Sequence, residues 1–368
     1  MPESMAAPEA AGTPLRLEQR AKLSSYLGLS LKNGLLNLLT LTLYRFWGKT
    51  EVRRRIWSST YLNDEAFEYT GRGMELFIGF LIATGLTAVF LLFVFGVQLL
   101  GPFAALLILP IYVGLIALIG FAIFAAFRYL ASRTAWRGVR FHLTGSAASY
   151  GLKYLGLMLL AGITLGWAWP FVERRLAEPL WANLRFGDRP FRFSLVAARK
   201  ENVYGPFALM WFGAVVGYAI LLALAAPWLR WAAQSQSMTD PAALAQLSHA
   251  ESRLGVLFSL LFLLFLLISL PYRAAMMRSV ARGIQFDGAR VRLKIGALAV
   301  GWLYLGNVLL LLFSLGFLMP LVQARSARFI LNRLVLEGGI DFAAIHQSPE
   351  SGPRQGEGLA DAFGLSII

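Results

Sequence analysis

Ile163-Thr164-Leu165-Gly166-Trp167-Ala168-Trp169-Pro170-Phe171 decides how this chain is read, because it recurs as Phe313-Ser314-Leu315-Gly316-Phe317-Leu318-Met319-Pro320-Leu321. A looser copy runs Leu41-Thr42-Leu43-Tyr44-Arg45-Phe46-Trp47. Each copy closes an apolar segment and leads into a basic stretch followed by a turn signal, the mark of an internally repeated architecture. The second and third copies align without a gap at an offset of 150, pairing Tyr154-Leu155-Gly156 with Tyr304-Leu305-Gly306 and Arg175 with Arg325. Upstream, Arg137-Gly138-Val139-Arg140-Phe141 matches Arg282-Gly283-Ile284-Gln285-Phe286 at an offset of 145.

The surroundings of these copies are too apolar for a water-soluble domain. Hydrophobic residues make up 57% of the 368-residue chain and the mean hydropathy is +0.61, whereas soluble domains hold roughly 45–50%. Residues 76–127 run for 52 positions without Asp, Glu, Lys or Arg, broken near the middle by Gln98 and Gly101-Pro102. About 20 apolar residues cross a bilayer, so this run holds two spans. Uncharged windows at 203–229 and 254–272 supply a second pair, and 154–172 and 295–324 are also long enough to cross.

The net charge of +14 is read as a record of which loops face the cytoplasm, not as a nucleic-acid footprint. Two threadings compete. If all three motif segments cross, seven transmembrane helices result and the 34 Lys and Arg divide 17 to 17. If the motif segments are re-entrant or interfacial, four full transmembrane helices remain, and 32 basic residues face one side against Arg230 and Arg253 on the other. The second split satisfies the positive-inside rule. The expectation is a mainly α, polytopic membrane protein with three internal repeats, four full spans and three re-entrant segments, with seven spans as the alternative.

On this reading, residues 1–22 form a disordered tail without a signal sequence. Residues 23–346 form one membrane domain, with repeats at 23–75, 128–200 and 273–346 separated by transmembrane hairpins 76–127 and 203–272, and 347–368 is a second disordered tail. After the motifs come amphipathic helices in which Val52 and Ile56 share a face and Arg53, Arg54 and Arg55 fan outward. Lys49, these three arginines, Arg174, Arg175, Arg325 and Arg328 are expected to meet anionic lipid headgroups, each basic residue gaining about 1 kcal/mol at such a surface. Gly166, Pro170, Gly316 and Pro320 are expected to break the helices. Turn signals at Asn63-Asp64, Gly187-Asp188 and Glu337-Gly338-Gly339 predict three short cytoplasmic β-hairpins.

The run Leu41-Thr42-Leu43-Tyr44-Arg45-Phe46-Trp47-Gly48-Lys49-Thr50, followed by Val52-Arg53-Arg54, Trp57 and Phe67-Glu68-Tyr69-Thr70-Gly71, resembles the YjgN family of bacterial inner-membrane proteins over about residues 24–345. Copies two and three carry Pro170-Phe171 and Pro320-Leu321 where the family has Pro-Trp. The resemblance implies a multi-pass inner-membrane domain of unknown function and a membrane metallopeptidase as partner. It carries over no active site.

Chemistry is sparse. The chain has no Cys, and His142, His249 and His346 share no metal-ligand spacing. No uncharged window hides an Asp, Glu, His or Lys of the kind ion-coupled transporters place at mid-membrane. No catalytic, cofactor or metal site is expected. The function expected is a non-enzymatic scaffold that binds membrane lipids or a partner; the alternative is a transporter or channel for an anionic or amphiphilic solute.

Overall fold

A computed structural model describes residues 15–99, 101, 104–234 and 241–347. Its organising element is a ten-stranded antiparallel sheet in which every strand pairs with its neighbour in sequence, β1 to β10 in order. Strands this short, three to five residues, hold only as members of a larger sheet.

The two ends of the sheet are joined in different ways. At one end two-residue turns link β2 (Thr60–Leu62) to β3 (Glu65–Tyr69), β4 (Thr134–Trp136) to β5 (Val139–Leu143), β6 (Leu184–Phe186) to β7 (Arg189–Phe193), and β8 (Ile284–Phe286) to β9 (Ala289–Leu293). Asn63-Asp64, Arg137-Gly138 and Asp287-Gly288 take positive φ at both positions, and Gly187 at the first position only. Those are the primed turns whose twist matches that of paired strands.

The other end carries five helical excursions. Between β1 (Leu17–Gln19) and β2 run α1 (Ser25–Leu39) and α2 (Arg45–Ser58); between β3 and β4, α3 (Gly73–Gln98) and α4 (Ala104–Arg133). Between β5 and β6 run α5 (Ala147–Ile163) and α6 (Trp169–Ala182). The long α8 (Tyr204–Gln234) and α9 (Pro241–Gly283), preceded by the short α7 (Leu195–Arg199), join β7 to β8. Finally α10 (Ala297–Phe313) and α11 (Met319–Leu331) join β9 to β10 (Leu334–Glu337). Among the described residues, four helical stretches are long and apolar enough to cross a membrane: Gly73–Gln98, Leu109–Arg133, Tyr204–Pro227 and Ser252–Gly283.

The sheet wraps an aromatic core. Phe141 and Phe186 lie 4.6 Å apart between ring centres, Phe191 and Phe286 4.4 Å, and Trp136 is buried among Phe67, Phe186 and Phe342. The edges β1 and β10 come together through Asn332, whose Oδ1 accepts from the Gln19 backbone N–H (2.7 Å) while its Nδ2 donates to the Gln19 carbonyl (3.4 Å). One side-chain amide thus supplies the donor and acceptor of a missing strand residue. The segment after β10 covers the turn end. Phe342 lies on Trp136 at 4.7 Å, and His346 exchanges two hydrogen bonds with Asp188 (3.0 and 3.1 Å).

Several expectations are corrected here. The hairpins are parts of one sheet, and there are four tight turns where three hairpins were expected. No hairpin forms at Glu337-Gly338-Gly339, because β10 already lies at the closing edge and the chain leaves to cover the core. Arg137-Gly138 and Asp287-Gly288 are hairpin turns, so the offset of 150 holds upstream as well. The 145 match fails because Arg282-Gly283 ends α9. Residues 17–19, expected within a disordered tail, form β1 and pair with β2. Residues 348–368 of the expected second tail lie outside the described residues.

The motif copies also shift by two in the first repeat. Helices α1, α5 and α10 end at Thr40, Thr164 and Ser314, whose hydroxyls each donate back to a carbonyl four residues earlier and accept the N–H of Tyr44, Ala168 and Leu318. The next two residues take left-handed geometry in all three: Leu41-Thr42, Leu165-Gly166 and Leu315-Gly316. The sequence Leu39-Thr40-Leu41-Thr42-Leu43 reads alike in two registers, and the backbone selects the earlier. Thr42 thus holds φ 72° where the other copies use Gly, a conformation that costs a non-glycine residue about 1–2 kcal/mol. Thr42→Gly should therefore raise thermal stability in detergent by about 1 kcal/mol, while Gly166→Thr should lower it by a similar amount.

Candidate functional site

The eight basic residues singled out by sequence do not form one site. Arg53, expected to fan outward, is 2% exposed, its guanidinium 3.4 Å from the Tyr69 hydroxyl. It lies inside because α2 buries two adjacent faces, against the sheet and against α1, not the single stripe of a surface helix. Arg54 donates to the Gly71 carbonyl (3.4 Å), and Arg55 lies over the Tyr26 ring (5.5 Å). Arg174, 6% exposed, donates to Ser279 Oγ (2.9 Å) and to the Glu201 carbonyl (3.1 Å), tying α6 to α9 and to the end of α7. Arg175 and Lys153 both reach Glu178 (3.3 and 3.4 Å). Arg325 donates to the Trp302 carbonyl and Arg328 to the Ala21 carbonyl, each at 3.4 Å.

The bends are built as the residue types require. Gly166 and Gly316 supply the positive φ. Pro170 and Pro320 fall in the first turn of α6 and α11, where a missing N–H breaks no helical bond. Beside the second bend, Glu173 accepts from the Trp169 indole N–H (2.7 Å) and the Tyr272 hydroxyl (2.9 Å). Burial pushes the Glu173 carboxyl above its ordinary range.

Three predicted residues do converge: Lys49, Gly316 and Pro320 line one cavity of about 320 Å³ between α1, α2 and the third bend. Arg45, Gln323, Asn33 and Asn37 complete its polar wall, and no acidic residue lines it. Phe317 from the third bend lies against Gly34, where any side chain would collide with its ring. The sequence held one signal for this site: Asn33 and Asn307 occupy matching positions of the first and third motif copies, amides within apolar helices. The convergence itself was illegible, because it depends on the closing of β1 against β10.

A family profile described as a bacterial protein of unknown function, DUF898, matches residues 14–362. The chain belongs to the DUF898 family. This is the domain of the YjgN family, so the resemblance read from the motif holds. No curated protein matches the chain, and no solved structure does. Among the described residues of this DUF898 protein, no three His, Asp or Glu side chains gather as metal ligands would.

Two substitutions test the assignment of structural and peripheral arginines. Arg174→Ala strips two buried groups of their donor and should cost about 1–3 kcal/mol of stability, whereas Arg55→Ala should cost less than about 1 kcal/mol; thermal melts in detergent compare them. Glu173 sets a pH dependence. Its folded carboxyl keeps a proton that the unfolded chain releases in the ordinary carboxylate range, so its contribution is complete at low pH and is lost as pH rises through the raised value. The melting temperature should fall as pH rises above the ordinary carboxylate range, and Glu173→Gln should flatten that fall.

Proposed function

We propose that this protein is a multi-pass scaffold of the bacterial inner membrane that binds membrane lipids or a partner and carries out no reaction of its own. The sheet lies in the cytoplasm, four helices cross the bilayer as two hairpins, and the three bent helix pairs enter the inner leaflet and return. The three bent units are copies of one repeat.

One observation carries this reading. In an antiparallel meander successive connections alternate between the two ends, and all five helical excursions leave from the same end. Each must return to the side it left, so each contributes an even number of crossings or none. An even number of crossings per excursion supports four spans over the seven-span alternative. Helices α5 and α10 have 17 residues, about 25 Å of rise, and each is followed by a bend that sends the chain back. The positive-inside count agrees, since the sheet end holds all the basic residues except Arg230 in α8, Arg253 in α9 and a few at the bends.

Scaffolding is favoured because the crossing helices present apolar surface outward. Only 6% of the best apolar window in Tyr204–Pro227 is buried, and none of that in Ser252–Gly283. The groove between α8 and α9 is lined by Leu, Phe, Ile, Val, Ala and Gly with Tyr218 alone carrying a polar group. Such surfaces suit lipid chains or the spans of another protein, a membrane metallopeptidase being one partner the family resemblance implies.

The absence of native Cys makes the topology directly testable. Single cysteines at Arg140, Arg290 and Leu99, all exposed, are probed in intact cells with a membrane-impermeant thiol reagent. Labelling is expected at Leu99→Cys alone. Opposite labelling of Arg140→Cys and Arg290→Cys would restore the seven-span threading.

A further inference from the structure

We infer that the cavity at the closing edge of the sheet is a headgroup site for a phospholipid whose phosphodiester carries a hydrogen-bond donor, an ammonium or a hydroxyl. This deepens the lipid-binding reading above and rests on it.

Position comes first. Around the sheet the excursions alternate between bent pairs and long pairs: α1/α2, α3/α4, α5/α6, α8/α9, α10/α11. Closing β1 against β10 sets two bent pairs side by side with no long pair between them. Among the described residues no long pair continues the alternation there, and the cavity lies between those two bent pairs. The helices on either side carry uncovered apolar surface, with Leu31, Leu35 and Leu38 on α1 and Leu305, Leu309 and Leu312 on α10 all exposed. Acyl chains have somewhere to lie.

The polar wall then selects the headgroup. Arg45 and Lys49 provide positive charge, and α2 and α11 both begin at the cavity, adding the partial positive charge of helix N-termini. A phosphodiester suits that side. The opposite demand comes from Asn33, which is 4% exposed. Its Nδ2 donates toward the Gly48 carbonyl (3.5 Å), which orients the amide, and its Oδ1 is buried without a donor. Asn37 Oδ1, also on the cavity wall, is likewise buried without a donor. An acceptor left this way is costly until a donor arrives. Ethanolamine and glycerol headgroups bring one beside the phosphate; a choline headgroup carries the same phosphate and no N–H or O–H.

The second repeat provides the control, because Leu157 stands where Asn33 stands in the first. Asn33→Leu is therefore a residue this architecture already accepts at that position. The full chain in detergent is titrated with phosphatidylethanolamine, phosphatidylglycerol and phosphatidylcholine of matched chains, and bound lipid is counted by native mass spectrometry. The wild type should prefer the two donor-bearing lipids by about tenfold, the value of one buried hydrogen bond. Asn33→Leu should erase the preference for phosphatidylethanolamine over phosphatidylcholine, two lipids of equal net charge, and reduce that for phosphatidylglycerol, while leaving phosphatidylcholine binding unchanged. Lys49→Met should weaken all three lipids together, and melting curves confirm that both variants fold. Equal binding of phosphatidylethanolamine and phosphatidylcholine by the wild type, or a preference between these two that survives Asn33→Leu, overturns the headgroup assignment while leaving general lipid binding intact. Competition by soluble glycerophosphoethanolamine at the same concentration as the lipid overturns the membrane as its source.

Discussion

Antiparallel pairing between sequence neighbours is the constraint from which the rest of this structure follows. Each strand reverses its predecessor, so connections alternate between the two ends of the sheet without exception. Two-residue turns occupy one end completely, and the helices have no choice but to share the other. From that alone come the return of every helical excursion to the end of the sheet it left and the pairing of the long helices. Hydropathy describes each helix singly. The sheet relates them.

The strands are nevertheless among the weakest elements taken singly. None exceeds five residues, and what holds them is the aromatic cluster they enclose, with Trp136, Phe186 and Phe286 buried from three different strand pairs. Polar anchors supply the register: Asn332 bridges the closing edge, Trp136 Nε1 donates to the Glu65 carbonyl (3.2 Å), and Trp57 Nε1 donates to Thr134 Oγ1 (3.0 Å). Arg174 and Ser279 play the same part among the helices. Several arginines that charge patterning assigns to a membrane surface are thereby used up as internal struts.

The sequence made the long helices legible through their uncharged runs, and two of the bends through the spacing of Gly166 with Gly316 and Pro170 with Pro320. Turn chemistry exposed the hairpins at Asn63-Asp64 and Gly187-Asp188. What stayed hidden was non-local. Strand β1 has three residues in a polar tail and no alternation to announce it; it is a strand because β2 and Asn332 are there to receive it. Arg53 was misplaced because its helix is buried on two faces, which a single periodic stripe does not reveal. The cavity was hidden for the same reason as β1, since Asn33 and Gln323 meet only across the closing edge.

That closing edge also orders events in time. Gln19 and Asn332 are 313 positions apart, so the pairing that completes the sheet waits until nearly the whole chain has left the ribosome. The segment that covers the aromatic core comes later still. Four hairpins and both pairs of long apolar helices therefore precede that pairing in the chain, and the core they surround stays open at one seam until it forms. On the multi-pass reading proposed above, a membrane that holds those helices at fixed depth limits the search that β1 must make for its partner. On that reading the lipid bilayer serves as the template on which a long-range β-sheet is assembled.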